Sequence, residues 1–168
     1  MNWTEFSQAA PELARLAEER FEKTGVILLG SITAVGTARI SPVEPLIVDG
    51  ELMLGMMWQS KKALDLLRDP RCLVHNTIAN KDGTDGEIKL RGRAMDVEDP
   101  AKRERYGEDL FKKINWRPEG PYHLFSVDIE SIAFVKSTAD GQEFKMWRAG
   151  AEVREKVRRW TGSGYVDP

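Results

Sequence analysis

The chain has 168 residues, a formal net charge of −2 from 25 basic and 27 acidic side chains, and a 41% hydrophobic content. That length holds one domain with a real core, and the composition excludes a disordered chain. The near-neutral balance argues against a general nucleic-acid binder. One cysteine, Cys72, permits no internal disulfide and suits a reducing cytoplasm. The first residues, Met1-Asn2-Trp3-Thr4-Glu5, lack the basic start and apolar run of a signal peptide, and no apolar stretch reaches bilayer length. The expectation is a cytoplasmic protein that partners neither membrane nor nucleic acid.

Residues 4–22 read as one amphipathic helix. Phe6, Ala10, Leu13, Ala17 and Phe21 recur at helical spacing, Thr4 or Ser7 is available as a cap, and Gly25 stops the helix. From Val26 the pattern becomes strand-like. A turn at Val35-Gly36 leads into Thr37–Ser41, and Pro42 and Pro45 interrupt the ladder with an edge or bulge. Alternation puts Arg39 and Ser41 on one face of that strand and Ala38 and Ile40 on the other. Asp49-Gly50 is a hairpin turn that returns residues 51–58 beside it.

Next come Ser60-Lys61-Lys62 and a helix over residues 60–68, ended by Asp69-Pro70. A hydroxyl and two cations at a strand-to-helix junction suit a phosphate, because the helix start adds unpaired N–H groups and a positive dipole end. Taken alone, the same three residues describe a capped helix with two solvated lysines. Residues 71–78 and 87–97 read as strands, the second with Ile88, Leu90 and Ala94 on one face and Lys89, Arg91 and Arg93 on the other. A charged helix over 100–114, a strand over 123–136, a turn at Asp140-Gly141 and a returning strand through Trp147 follow. Residues 151–160 suggest a short basic helix, and 161–168 a frayed end. Strands running in hairpins with helices inserted between them point to a mainly β, antiparallel barrel with peripheral helices. The division is a single domain over 1–168: helix 4–22, barrel about 25–150 and a basic tail 151–168. Cys72 reads as a buried inert thiol, and His75 and His123 stand without metal-ligand spacing, so no metal site is expected.

Gly36–Val43, Val48–Leu52, Ser60-Lys61-Lys62-Ala63 and Asp69-Pro70-Arg71, followed by Ile88–Ala94, Asp99-Pro100, His123–Asp128 and Met146-Trp147-Arg148, form an ordered set. It resembles the pyridoxamine 5′-phosphate oxidase-like family of flavin-binding proteins over roughly residues 25–150. The resemblance implies a six-stranded antiparallel split β-barrel and a homodimer with FMN at the subunit interface. By position, Ser60, Lys61, Lys62 and Arg39 correspond to phosphate-holding residues. The strand Arg39-Ile40-Ser41-Pro42-Val43 corresponds to the one along the flavin ring, with Met56 on the neighbouring strand. Glu87 and Trp147 correspond to residues near the flavin, Glu87 reaching it from the partner.

Three departures stand out. Glu44 occupies the place of a substrate-phosphate lysine, Met56 that of a threonine four residues before the serine, and no Arg-x-His pair follows Trp147. The resemblance therefore implies an FMN-dependent oxidoreductase acting on a small molecule other than pyridoxamine phosphate. The alternative is a protein that holds flavin, deazaflavin or haem without turnover. No catalytic acid or base is assigned.

Overall fold

The N-terminal helix expected over 4–22 is two helices in the computed structural model, which describes residues 1–78 and 80–167. Helix α1 spans Trp3–Ala9 and α2 spans Pro11–Thr24. The break follows from Pro11, which has no N–H to continue the ladder and opens α2 at its first position. The cap of α1 is Asn2, earlier than the expected Thr4 or Ser7. Its side chain accepts from the Glu5 amide at 2.8 Å while Glu5 accepts from the Asn2 amide at 3.0 Å, a reciprocal capping box. Gly25 ends α2 with positive φ, as its position in the sequence predicts. The apolar spacing holds across the break: Phe6, Ala10, Leu13, Ala17 and Phe21 are all buried.

The strands are β1 (Ile27–Ile32), β2 (Ala38–Val43), β3 (Pro45–Val48), β4 (Glu51–Met57), β5 (Arg71–Asn76), β6 (Glu87–Asp96), β7 (Tyr122–Thr138), β8 (Gly141–Arg148), β9 (Arg154–Trp160) and β10 (Tyr165–Val166). Helix α3 (Lys61–Arg68) lies between β4 and β5, and α4 (Pro100–Ile114) between β6 and β7. All pairings are antiparallel. Six strands pair in the order β2-β1-β5-β6-β7-β4, curling towards closure without completing it. The long β7 makes this possible. Its first part pairs with β4 and its last part with β8, while β6 runs along its other side. The result is a split barrel with its sheet open between β2 and β4.

The opening has a local cause. Strands β2 and β3 are one stretch of chain bent at Glu44; the first half pairs with β1 and the second with β4. Pro42 and Pro45 flank the bend, and neither has an N–H to donate. Beyond β3, Asp49 and Gly50 both have positive φ (50° and 75°), the geometry of a tight hairpin turn. The Gly50 carbonyl accepts from the Thr4 amide at 3.1 Å, which seats α1 on the hairpin.

The basic segment expected as a helix over 151–160 is instead strand β9, paired with β8 from Met146↔Arg154 to Gly141↔Arg159. The free edge of β8 satisfies its backbone groups in rows, which an isolated basic helix with no apolar face does not achieve. The tail expected to fray from 161 turns back as β10 onto β9; Pro168, its last residue, lies outside the described residues.

Phe6 is fully buried in the main core, with its ring 5.2 Å from Trp3 and 5.2 Å from Trp147. Phe6→Ala is expected to cost about 3–5 kcal/mol, read as a lower urea midpoint with unchanged m-value.

Candidate functional site

Helix α3 is fixed by a buried acid. Asp65 accepts from Arg39 Nε on β2 at 2.6 Å, from Ser31 Oγ on β1 at 3.2 Å and from Arg68 on its own helix at 3.2 Å. One turn earlier, Lys62 Nζ donates to the Pro42 carbonyl of β2 at 2.7 Å. The 62–42 and 65–39 contacts run in opposite senses along the two chains, so α3 lies antiparallel to β2 at the open seam. Burial alone would raise the Asp65 pKa, but the hydrogen bonds from Arg39 and Arg68 and the Arg39 charge outweigh it and hold the carboxyl below its ordinary value. Burial pushes the Lys62 ammonium down.

Ser60 occupies the cap position of α3 with extended backbone (φ −62°, ψ 143°), yet its side chain caps nothing. Its hydroxyl is buried and has no hydrogen-bond partner among the described residues. A buried orphan hydroxyl is costly unless something completes it. It sits beside the first amide groups of α3, and a phosphate oxygen fits that need. Strand β2 ends the sheet path, so alternate backbone groups face the seam. Because the Pro42 carbonyl points to Lys62, alternation aims the Ile40 N–H and C=O the same way. A planar heterocycle with donors and acceptors on its rim suits that edge.

Of the residues singled out from the sequence, Arg39, Ser41 and Val43 share the inner face of β2, with Val43 in the core, while Ile40 is 72% exposed. The structure brings Arg39–Val43 and Ser60–Lys62 together at the seam. Met56 is buried and lines the same opening from β4, offering no hydrogen bond where a threonine hydroxyl would. Lys61 is exposed. Two residues lie elsewhere. Glu87 is on β6, separated from β2 by β5 and β1, with its carboxylate 2.9 Å from Lys89 and 3.5 Å from His75. The Lys89 hydrogen bond leads in lowering its pKa. Trp147 is 3% exposed and packs on Phe6, so its ring belongs to the core. Cys72 is buried, and that burial pushes its thiol up to about 12, leaving it inert.

Several features carry no clear signal in the sequence. Asp65 looks like a solvent-facing helix residue between leucines. His123 is buried and stacks on Trp58 at 4.6 Å and 10°. Continuous with the seam, α4 roofs a cavity of about 330 Å³ lined by Pro42, Met56 and Lys62 on the seam side and by Glu44, Gly55 and Tyr106 beyond them. Gly55 is required there: a Cβ would stand 2.2 Å from the Tyr106 hydroxyl. An acid-Pro helix start and the aromatics of 106–122 were the available hints.

Fold and seam together define a split barrel with an open hydrogen-bonding edge beside the start of α3. Comparison with solved structures agrees on the fold: the chain has the pyridoxamine 5′-phosphate oxidase-like split-barrel architecture. It is similar to a pyridoxamine 5′-phosphate oxidase candidate from Listeria innocua, with 20% identity, TM-score 0.61, and coverage of 75% of this chain and 100% of that one. It is also similar to a pyridoxamine 5′-phosphate oxidase-related, FMN-binding protein from Nostoc punctiforme PCC 73102, with 11% identity, TM-score 0.61, and coverage of 88% and 95%. A third is a Clostridium acetobutylicum protein related to general stress protein 26, of the pyridoxinephosphate oxidase family, with 15% identity, TM-score 0.59, and coverage of 82% and 96%. No family model matches the sequence, and no curated protein matches it. No helix among the described residues is long and apolar enough to cross a membrane.

Asp65→Asn is expected to destabilise the protein by about 1–3 kcal/mol, since Arg39 and Arg68 keep partial access to water. The native Asp65 pKa lies below its ordinary value near 3.8, so its contribution is complete above that value and disappears as pH falls towards the depressed native one. Denaturation midpoints of the two proteins should therefore converge on acidification through that window and stay apart at pH 7.

Proposed function

We propose that this protein binds FMN at the β2–α3 seam and uses it in hydride or electron transfer with a small molecule other than pyridoxamine phosphate. The observation that carries the reading is the buried, unpartnered Ser60 hydroxyl at the start of α3, immediately before Lys61 and Lys62. Ser60 and the first amides of α3 would hold the phosphate, and Lys62 would supply charge. Lys62 has no carboxylate partner among the described residues, and a phosphate would reverse the burial effect on its ammonium. The unpaired edge of β2 would take the ring rim. When bound, the flavin supplies the hydride-accepting and hydride-donating chemistry; the protein orients it and limits water. Glu44 at the seam supports a substrate that carries no phosphate there, since the carboxylate would repel it.

A homodimer belongs to the same reading. Ile40 and Leu73 are exposed and flank Gly30 in one cross-strand row, an apolar surface suited to a second copy. The outer faces of β6–β8 carry a groove with Lys89, Arg91, Arg148 and Arg154, well away from the seam of the same chain. A second copy is the means of bringing those cations, and Glu87, to a flavin. Sedimentation at micromolar concentration is expected to give a dimer; a monomer would count against the assembly.

A second reading keeps the same ligand without turnover, or exchanges FMN for a deazaflavin or, with less support, haem. Met56 favours it, because it removes a phosphate-directed hydroxyl from β4.

Ser60→Ala separates a ligand handle from a structural cap. The hydroxyl is unpaired, so its removal is expected to leave the melting temperature unchanged or raised. FMN affinity, followed by quenching of flavin fluorescence, should fall several-fold. Lys62→Ala should weaken FMN by about 10- to 100-fold, the range of one charge-assisted hydrogen bond. Full FMN fluorescence at saturating wild-type protein would end the FMN reading. Oxidation of reduced nicotinamide coupled to an acceptor, lost in Lys62→Ala, would eliminate the passive one.

A further inference from the structure

The cavity beneath α4 opens from the seam, sharing Pro42, Val43, Met56 and Lys62 with it, and its other walls differ in chemistry. These are Met57 and Gly55 from β4, Tyr106 from α4, Tyr122 from β7 and Trp116 from the α4–β7 loop. The Tyr106 and Tyr122 rings lie 6.2 Å apart at 27°, and Trp116 is 55% exposed at the mouth. Two charged side chains line it, Glu44 and Lys62. Lys62 donates to the Pro42 carbonyl at 2.7 Å and, in the FMN complex proposed above, would face the phosphate. Glu44, at the bend between β2 and β3, makes no ion pair among the described residues. It is close enough to Tyr106 for its charge to help raise the tyrosine pKa, after burial and the Tyr122 contribution, to about 12. Tyr106 is therefore a neutral phenol at physiological pH.

None of the cations nearby pairs with Glu44 among the described residues. Arg103 lies 4.3 Å over the Tyr122 ring and donates to the Val97 and Tyr122 carbonyls. Lys113 reaches the Pro45 carbonyl at 3.4 Å rather than the adjacent Glu44 carboxylate. An unpaired carboxylate at the rim of an aromatic-walled cavity attracts an organic cation twice, by direct charge and by the faces of the rings. It repels an anion by the first of these.

We propose that this cavity takes an organic cation, an amine or quaternary ammonium carried on an aromatic or apolar body, with Glu44 as the counter-charge and the exposed Trp116 ring as the stacking surface. The inference names the substrate class of the site proposed above; only the word substrate rests on that reading. It makes Glu44 the residue that selects by charge.

The test is a tryptophan-fluorescence and calorimetric titration of the full-length protein with benzyltrimethylammonium and, separately, benzenesulfonate, with and without FMN. Wild type is expected to bind the cation at least about tenfold more tightly than the anion. Glu44→Gln, an exposed substitution, should weaken the cation about five- to tenfold and leave the anion unchanged or improved. Trp116→Ala should weaken the cation with no change in melting temperature. Equal or tighter binding of benzenesulfonate, a cation affinity indifferent to Glu44→Gln, or no saturable binding of either probe would overturn the proposal. Cation binding without FMN uptake would sink the flavin reading and leave this site standing; FMN uptake with indifference to charge would do the reverse.

Discussion

The arrangement at the seam depends on Asp65. A helix with the pattern Lys61–Arg68 has leucines at 64, 66 and 67, and hydrophobicity alone would turn the largest number of them inward. The structure buries Ala63, Asp65 and Leu66 and leaves Leu64 and Leu67 partly exposed. Burying a carboxylate is unfavourable unless it is paired and fully hydrogen-bonded. Ser31, Arg39 and Arg68 meet that condition from two strands and the helix itself. The acid therefore sets the rotation of α3 about its axis and its position over β1 and β2. That rotation aims Lys62 at Pro42 and leaves Ser60 buried beside the first turn. It also commits the Nε edge of Arg39 to the scaffold, so this arginine is at least as much a clamp as a ligand group.

The second constraint is the bend at Glu44. A continuous strand from Ala38 to Val48 would close the barrel and satisfy both edges of its backbone. Pro42 and Pro45 remove the two donors that such closure needs on either side of the bend. The chain therefore changes partner from β1 to β4 and leaves the seam open. Open backbone groups inside a folded protein are unfavourable unless water or a ligand reaches them. The same bend thus creates the seam, exposes its hydrogen-bonding edge and presents the Glu44 side chain to the neighbouring cavity.

Much of this was legible because the periodicities are strong. The alternation in 87–97, the Asp49-Gly50 turn and the apolar spacing of 6–21 each reappear in the structure. The failures have physical causes. Pro11 divides a helix whose apolar stripe is continuous, so the stripe reveals the buried face and conceals the break. Residues 154–160 carry charges at a spacing that periodicity cannot assign, and the deciding factor is the vacant edge of β8, a non-local fact. The burial of Asp65 and of Trp147 is non-local as well. The first is a charge made buriable by partners 26 and 34 residues away; the second is an aromatic packed against Phe6, which a local motif does not contain.

The residues of the seam and those of the cavity that opens from it also differ in how they are held. Asp65, Val43 and Met56 are buried, and Lys62 and Arg39 are tied across elements, so the seam is part of what folds the barrel. Glu44 and Trp116 are exposed and stand on a bend and a loop, where substitution disturbs little packing. A ligand at the seam therefore meets a surface whose geometry is fixed by stability. One in the cavity meets side chains free to vary with the chemistry they must recognise. On the proposed reading, the fixed residues hold a common group and the exposed ones distinguish one small molecule from another, with Glu44, contributed by the bend that opens the seam, at the boundary between them.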